Sequence, residues 1–315
     1  MRDWKTFIEE SVSDIRAATN GFPVLAAISG GVDSTVSATL THRAVGDRLT
    51  CIFVDHGLMR KGEADEVRRL FFEALGIGLI NVDASDRFFA RLKGVTDPEK
   101  KRMAIGDEFI RVFHDEVKGL GELGYLMMGT IKTDVTESGQ DGGRFTKSHH
   151  NVGAMPEDMP FKGAVEPVRG LYKNEVRELG KALGIPGPSA TRQSFPGPGL
   201  AIRVIGEVTR GRVALLQEAD AAFREVMDAA GIAATQYFAI LTGLRSVGIV
   251  GGDRAYGETV ALRALSSVDL ISAAPVRVPY ETLEKAASEI TARCPGVNRV
   301  VYDITPKPPG TIEWE

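Results

Sequence analysis

The chain has 315 residues, enough for two domains that each bury a core of their own. Hydrophobic residues make up 43% and charged residues 25%, the proportions of an ordinary globular protein. The net charge of −4 argues against a nucleic-acid partner, and no apolar run is long enough to predict a membrane span. The N-terminal residues lack the apolar core of a signal peptide, so we expect a cytoplasmic protein.

The first part of the chain alternates short apolar strands with amphipathic helices. This alternation predicts an α/β domain, a parallel sheet with helices on both faces. The predicted helices cover 3–18, 36–45, 63–75, 98–117 and 174–183, and the predicted strands cover 24–28, 49–54, 79–82, 125–128 and 165–168. Open sheets of this class bind ligands at the carboxyl ends of their strands. The loops at 29–35, 55–61 and 129–137 are therefore expected to form one site.

A dense run of proline and glycine between residues 186 and 200 predicts a domain boundary. We place the two domains at 1–190 and 191–315. The second is predicted to be a smaller α+β domain. Its predicted strands cover 201–208, 236–250, 257–264 and 299–304, and its predicted helices cover 210–230, 266–272 and 280–292.

The segment Ser29-Gly30-Gly31-Val32-Asp33-Ser34-Thr35 lies between the first predicted strand and the next helix. Glycines let the backbone approach an anion closely, and a helix start offers free N–H groups and a positive dipole end. Neither of the two common nucleotide motifs, the Walker A loop and G-x-G-x-x-G, is present. A tight turn without function is the alternative, but seven matching residues between a strand and a helix favour a phosphate site.

The S-G-G-x-D-S pattern of this segment resembles the loop of the N-type ATP pyrophosphatases. That resemblance implies an adenine nucleotide alpha hydrolase-like fold. It also implies ATP as a substrate that is cleaved between its α and β phosphates. A nucleophile then displaces AMP from an adenylated oxygen.

Residues 131–163 are rich in glycine and charge and show almost no apolar periodicity, which predicts a lid or a disordered loop. Lys147 is suited to place a mobile positive charge over phosphates. Asp134 and Glu137 are the kind of ligands that a hard cation such as Mg²⁺ prefers. Solvated surface positions remain the alternative for each of these side chains.

Further blocks make the chain similar to the GMP synthetases over essentially its whole length. They are Phe53–Arg60, Gly129–Ile131, Lys147–Gly153, Phe195–Leu200, Arg245–Gly248 and the tail Lys307–Glu315. The resemblance implies a carbon–nitrogen ligase that adenylates XMP at its C2 oxygen and replaces AMP by ammonia, with Mg²⁺. One departure is Thr133, where the family usually has proline before the lid aspartate.

The resemblance also assigns site residues. Those implied for catalysis are Asp33, Asp134 and Lys147, with Asp134 and Glu137 as metal ligands. Those implied for ATP are Ser29, Gly30, Gly31, Val32, Asp33, Ser34, Thr35, Val54 and Gly129. Those implied for XMP are Arg60, Arg203, Gln236, Lys307, Ile312 and Glu313.

The tail 305–315 carries three of those XMP residues, and its composition predicts that it is docked rather than frayed. Its three prolines reduce the freedom that docking must overcome. Trp314 offers a large apolar anchor near the end.

The resemblance implies two protein partners. Neither Cys51 nor Cys294 lies on the sharp, glycine-flanked turn that a glutaminase nucleophile needs. Residues 1–20 lead directly into the first domain, so we expect ammonia from a separate glutamine amidotransferase subunit. The C-terminal domain is expected to form a homodimer.

Two other classes of function remain open. Another enzyme with this loop, such as an NAD synthetase or a tRNA-modifying thiolase, would share 29–35 but not the tail. The C-terminal domain could instead be an RNA-binding or interaction module, with local basic residues such as Arg203, Arg210 and Arg212.

Replacing Lys147 by alanine should lower the rate of XMP adenylation by at least ~10²-fold, as expected when one preorganised charge at a transition state is lost. Folding should survive, because Lys147 belongs to no apolar pattern. Near-normal turnover of this variant would show that the role assigned to Lys147 is wrong.

Overall fold

The computed structural model describes residues 2–121, 124–137, 161–187, 193, 195–267 and 271–315. These residues form two compact units. The first unit contains Met1–Asp55, Ala64–Ala84 and Gly106–Arg192, and the second contains His56–Glu63, Ser85–Ile105 and Gln193–Glu315. The second unit thus includes two segments from the N-terminal half of the chain. The division at residue 190 stays a prediction.

The helices follow the predicted order closely. They are α1 (Trp4–Thr19), α2 (Val32–Val45), α3 (Glu63–Arg69), α4 (Ser85–Leu92), α5 (Pro98–Val117), α6 (Lys132–Glu137), α7 (Lys173–Ala182), α8 (Arg210–Ala229) and α9 (Tyr280–Arg293). A π-helical turn at Leu70–Ala74 follows α3, and 3₁₀ turns cover Gly46–Arg48 and Gly199–Arg203. In the part of the chain described here, no helix has both the length and the apolar character needed to cross a bilayer.

The strands are β1 (Val24–Ile28), β2 (Leu49–Asp55), β3 (Leu79–Asp83), β4 (Tyr125–Met127), β5 (Gly163–Val165), β6 (Gln236–Val250), β7 (Asp253–Ser266), β8 (Ala274–Pro275) and β9 (Val297–Tyr302). In the first unit, the described strands form a five-stranded parallel sheet in the order β3-β2-β1-β4-β5. The chain steps from β1 to β2 to β3 in one direction, and β4 and β5 lie on the other side of β1. Right-handed crossovers therefore place the connecting helices on opposite faces, which confirms the predicted α/β class.

The order of this sheet reverses at the neighbouring strands β1 and β4. Loops that leave the carboxyl ends of such strands border the crevice in which open α/β sheets bind ligands. The loop after β1 carries the motif 29–35, and the loop after β4 carries Gly129. The topology therefore places two of the predicted ATP segments side by side.

The second unit is an α+β domain, as predicted. Its sheet pairs β6, β7 and β8 antiparallel, and β9 joins β7 in parallel. Helices α8 and α9 pack together, and α8 also packs on β6. Phe238, Ile240 and Ala261 form a buried apolar cluster, with Ile205 and Ile312 packed against it.

Several predictions about local structure are wrong. Residues 132–137, expected to belong to a lid or disordered loop, form α6, and Ser266, expected to begin a helix, is the last residue of β7. Residues 201–208 were expected to form a strand, but residues 199–203 form a fully buried 3₁₀ turn, and only Val204 makes a bridge, to Leu241. The helix Ser85–Leu92 was not predicted at all. The 3₁₀ turn and this helix are both short, and for short segments tertiary packing outweighs local propensity.

The buried face of α5 also differs from its apolar pattern. The apolar residues of this helix follow a helical spacing that predicts a buried face, yet Met103 and Ile110 are exposed, whereas Lys101 and Glu108 are buried. Phe113 and Val117, which belong to the same apolar pattern, are buried. Lysine and glutamate are rarely fully buried unless they are paired, so these two positions need specific partners.

Candidate active site

The motif after β1 forms a turn that leads directly into α2. Gly30 has a φ of +77°, a conformation that side chains with a Cβ rarely adopt. Gly31 is the N-cap of α2, and no described side chain caps this helix. Helix α2 begins at Val32, four residues earlier than predicted, so Val32–Thr35 form its first turn. The N–H of Thr35 donates to the carbonyl oxygen of Gly31 at 3.1 Å, which leaves those of Val32, Asp33 and Ser34 without a partner within the helix. These three N–H groups can bind an anion.

The hydroxyl groups of the motif bond within the loop. Ser34 Oγ and Thr35 Oγ1 donate to the carbonyl oxygen of Gly31 at 3.1 and 2.9 Å. The amide of Gly31 donates to Ser29 Oγ at 3.3 Å, and Ser29 Oγ lies 3.1 Å from Ser34 Oγ. In this structure the hydroxyls thus hold the shape of the turn, and the backbone amides are the groups available to a phosphate.

Gly129, just after β4, lies against the start of α2. A Cβ at this position would be 2.9 Å from the nitrogen of Ser34 and 3.1 Å from the carbonyl carbon of Asp33. Both are backbone atoms of the first helical turn, so they cannot move aside as a side chain could. Only glycine allows this approach of the two loops. Val54, also predicted to contact ATP, lies buried near the end of β2.

Asp33 forms an ion pair with Lys173, the first residue of α7. Its other carboxylate oxygen, Oδ1, is buried and has no hydrogen-bond partner among the described residues. Burial raises the pKa of Asp33; Lys173 opposes this shift, and the negative charge of Asp134 adds to it. The sequence did not single out Lys173, because a lysine at the start of a helix is unremarkable until the fold brings it to Asp33.

Asp33 and Asp134 bring two carboxylates near the start of α2. Asp134 Oδ2 accepts a hydrogen bond from the amide of Ile131 at 3.0 Å, and the carboxylate is close enough to Asp33 to raise its pKa. Magnesium is commonly held by one or two carboxylates together with substrate phosphates. The buried, unpartnered oxygen of Asp33 fits that donor set. Among the described residues, no group of three or more His, Cys, Asp and Glu side chains is arranged to hold a metal ion.

Two predicted residues of this site lie beyond what can be described. Lys147 falls in the range 138–160, outside the described residues. Glu137 is the last residue of α6, but its side chain is not among those described. Their roles stay predictions.

A second cluster of predicted residues lies within the second unit. Arg203 is fully buried in the 3₁₀ turn, and its guanidinium lies 3.9 Å from the ring centre of Phe238. It forms a two-pronged ion pair with Glu313, with Nε donating to Oε2 at 2.9 Å and Nη2 to Oε1 at 2.8 Å. The remaining nitrogen, Nη1, has no hydrogen-bond partner in the described structure. The fold thus joins two predicted XMP residues that are far apart in sequence.

Arg60 is also buried but is less well compensated. Its Nε lies 3.2 Å from Oδ2 of the buried Asp220, without the alignment of a hydrogen bond, and its Nη2 has no described partner. Arg60 and Arg203 both lie over the ring of Phe195, at 5.2 and 5.3 Å from its centre. The sequence did not indicate that Asp220 belongs to this cluster. An aspartate in a helix is normally expected on the side that faces water, whereas Asp220 is buried.

The two arginines differ in the electrostatic balance around them. Burial lowers the pKa of Arg60 to about 10, although Asp220 partly offsets the shift. Burial would also lower the pKa of Arg203, but Glu313 more than compensates and the pKa lies above its usual value. Arg60 is therefore the buried cation that still lacks a full counter-charge. An anionic ligand would supply one.

The tail is docked, but by polar contacts rather than by the predicted tryptophan anchor. Arg263 is buried and donates to the carbonyl oxygens of Thr305 (3.0 Å), Thr311 (2.6 Å) and Ile312 (3.0 Å). It also pairs with Asp303. Trp314 is 42% exposed and uses its indole N–H to reach Asp303 Oδ2 at 2.9 Å.

The remaining predicted XMP residues lie in the same unit. Gln236 is buried at the first position of β6. The backbone N–H and carbonyl groups of Lys307 pair with those of Ala273 at 2.8 and 3.0 Å. Ile312 packs on the apolar cluster of this sheet. Arg60, Arg203, Gln236, Lys307, Ile312 and Glu313 thus all belong to the second compact unit.

Comparison with known proteins finds GMP synthases. Residues 225–314 match the family described as the GMP synthase C-terminal domain. The glutamine-hydrolyzing GMP synthase of Acetivibrio thermocellus is 53% identical over 317 residues, covering 99% of this chain. The chain is thus similar to GMP synthases over almost its whole length. The corresponding enzyme of Geobacillus kaustophilus is also 53% identical, and that of Clostridium tetani 52%. The chain spans 62% of the length of each of these three GMP synthases.

Among solved structures, the NH3-dependent NAD synthetase of Campylobacter jejuni gives a TM-score of 0.47 at 18% identity. The match covers 62% of this chain and 80% of that protein. A likeness at this level says nothing about the reaction. The similarity to GMP synthases rests on the sequence relatives.

Replacing Gly129 by alanine should disrupt the loop at 29–35, which we predict to bind the phosphates of ATP. The new methyl group would meet backbone atoms of α2 at 2.9–3.1 Å, so the start of the helix must shift. We expect the KM for ATP to rise at least ~10-fold and the unfolding free energy to fall by about 1–3 kcal/mol, as in other overpacked sites. Gly78→Ala is the matched control, since a Cβ there meets nothing within 4 Å. Equal behaviour of the two variants would refute the proposed contact.

Replacing Asp33 by asparagine should affect stability and activity in opposite directions. The folded-state pKa of Asp33 is raised, so its ionised form costs free energy at neutral pH that asparagine would not. The variant should melt at or above the wild-type temperature at pH 7, and this difference should shrink as the pH falls through the pKa of Asp33. Pyrophosphate release should fall at least ~10²-fold. The exposed Asp47→Asn is the control; a marked loss of stability in Asp33→Asn alone would contradict this account.

Proposed function

We propose that the chain catalyses the ATP-dependent amination of XMP to GMP through an adenyl-XMP intermediate, releasing AMP and pyrophosphate. One observation carries the proposal. The residues predicted to contact XMP, from Arg60 to Glu313, lie in one compact unit, and this unit buries an arginine whose charge is incompletely neutralised. XMP carries the anionic group that such an arginine requires.

In this proposal the first unit binds ATP. The amides at the start of α2 and the dipole of that helix face the phosphates, and the positive charge of Lys147 is proposed to act on the same phosphates. Asp134 and Glu137, together with the buried oxygen of Asp33, would hold Mg²⁺, which would supply positive charge to the departing pyrophosphate. The oxygen of XMP is itself the nucleophile, so the protein contributes orientation and electrostatic stabilisation rather than a covalent intermediate.

The second unit binds XMP. Arg60 offers two buried nitrogens without hydrogen-bond partners in the described structure, and Arg203 offers one, which together suit a phosphate or a purine oxygen. Glu313 keeps acceptor capacity beyond its pair with Arg203, and this suits the N–H groups of a purine. Gln236, Lys307 and Ile312 complete the proposed contacts.

Ammonia is proposed to come from a separate glutamine amidotransferase subunit. Both cysteines of the chain are buried, and burial raises the pKa of the Cys51 thiol to about 12 and that of Cys294 to about 11. A glutaminase nucleophile needs a thiolate that is accessible and easily formed. Neither cysteine among these 315 residues fits that role.

A homodimer is proposed to form through the second unit. The outer part of the β6–β7 hairpin exposes large apolar side chains, which are Leu244, Val247, Ile249, Val250 and Tyr256. An apolar cluster of this kind on one hairpin is typical of an interaction surface.

The proposed location of the protein is the cytoplasm.

The purified chain, supplied with ATP, Mg²⁺, XMP and ammonium, should yield GMP, AMP and pyrophosphate in equal amounts. Glutamine should not replace ammonium until a glutamine amidotransferase is added, because the chain offers no suitable thiol. Products are quantified by ion-pair chromatography, and nicotinate adenine dinucleotide and unmodified tRNA serve as competing substrates.

Each alternative gives a different result in this assay. Pyrophosphate release with nicotinate adenine dinucleotide would indicate an NAD synthetase, and release with tRNA a tRNA-modifying enzyme. Glutamine-dependent turnover by this chain alone would disprove the separate-subunit proposal while leaving GMP synthesis intact.

A further inference from the structure

Lys101 is a fully buried lysine on α5 that no predicted function explains. Its ammonium group donates to the carbonyl oxygens of Ala201 (3.2 Å) and Val204 (2.7 Å) and to the carboxylate of Glu315. An ammonium group has three N–H donors, so each of them has an acceptor here. The ion pair with Glu315 is almost completely shielded from water, with side-chain exposures of 0% and 8%.

The three acceptors come from two segments that carry proposed XMP residues. Ala201 and Val204 flank Arg203 in the 3₁₀ turn, and Glu315 lies two residues after Glu313 in the tail. The ammonium group of Lys101 therefore links the backbone before and after Arg203 to Glu315. Arg203 and Glu313, which pair with each other, thus each lie within two residues of a residue that Lys101 contacts.

Two further contacts hold Glu315 in place. Arg102, the neighbour of Lys101 on α5, donates from Nη2 to the main-chain oxygen of Glu315 at 2.6 Å. The amide of Gly206 donates to Glu315 Oε1 at 3.3 Å. Glu315 is thus held through both its side chain and its backbone.

We propose that Lys101 is a positioning residue for XMP binding: by fixing Glu315 against the 3₁₀ turn, it holds Glu313 in register with Arg203. This inference rests on the proposed function, in which Arg203 and Glu313 contact XMP. Lys101 itself does not touch the nucleotide.

The simpler explanation is that Lys101 only stabilises the fold. A buried ion pair is costly to desolvate, and replacing one with apolar groups is often neutral for stability. Stability alone is therefore a poor test of Lys101. A positioning role predicts a specific loss of XMP affinity and a released tail, which a purely structural role does not.

The tail can be followed directly by fluorescence. The chain has two tryptophans, Trp4 in the first unit and Trp314 in the tail, so Trp4→Phe leaves Trp314 as the only indole. In that background we expect Lys101→Met to raise iodide quenching of Trp314, by up to about twofold because this residue is already 42% exposed. Lys100→Met is the matched control: it makes the same chemical change at the adjacent, exposed position of α5.

Kinetics supply the second measurement. Lys101→Met should raise the KM for XMP at least ~10-fold, while kcat at saturating XMP and the KM for ATP change less than about threefold. Glu315→Gln keeps the shape of the acceptor but removes its charge, and it should reproduce the XMP defect in a smaller degree. It also serves if Lys101→Met does not fold. The effects of the two changes should not add in the double variant, because they remove the same contact.

The two measurements separate this inference from the proposed function. If Lys101→Met raises quenching but neither the unmodified protein nor any variant makes GMP, the contact between Lys101 and the tail is supported and the proposed XMP site is wrong. If GMP is made but neither quenching nor the KM for XMP changes in both Lys101→Met and Glu315→Gln, Lys101 is not a positioning residue. A loss of XMP affinity equal to the loss of ATP affinity would likewise contradict the proposal.

Discussion

The two-pronged ion pair between Arg203 and Glu313 is the contact on which the second unit depends, since burying a charge is tolerated only when a partner compensates it. Arg203 is fully enclosed and stacked on Phe238, and among the described residues Glu313 is the carboxylate that forms hydrogen bonds with it. Glu313 in turn can reach Arg203 only if the tail follows one path. Two sets of hydrogen bonds hold the tail on that path. Arg263 donates to three carbonyl oxygens of the tail, and Lys101 donates to the carboxylate of Glu315.

The same reasoning accounts for the incomplete compensation nearby. Arg60 has Asp220 as its partner, but the contact is poorly aligned and nitrogens remain without acceptors in the described part of the structure. A protein built only for stability would have closed this network, because a partly satisfied buried network is worse than an apolar one. Asp33 in the first unit is likewise only partly compensated: one carboxylate oxygen pairs with Lys173, and the other is buried without a hydrogen-bond partner among the described residues. Both sites hold polar groups that a charged ligand would satisfy.

The sequence could predict much of this arrangement. The strand–glycine–helix pattern at 24–45 predicted the turn between β1 and α2, because the positive φ of Gly30 is a conformation that glycine adopts easily and other residues rarely do. The alternation of strands and helices gave the parallel sheet for a similar reason, since a strand buried on both faces must be apolar along its length. The resemblance to the GMP synthetases selected residues as distant as Arg60 and Glu313, and the structure brought them into one unit.

What the sequence by itself determined is therefore what local chemistry determines: the turn at 29–35 and the class of each domain. Only the tertiary structure decided that Lys101 and Asp220 are buried, that Lys173 pairs with Asp33, and that polar contacts rather than Trp314 hold the tail. A lysine or an aspartate on a helix carries no local sign of burial, and by itself it predicts contact with water. Its partner is brought to it by chain segments more than a hundred residues away, and the free energy of such a charge depends on that partner.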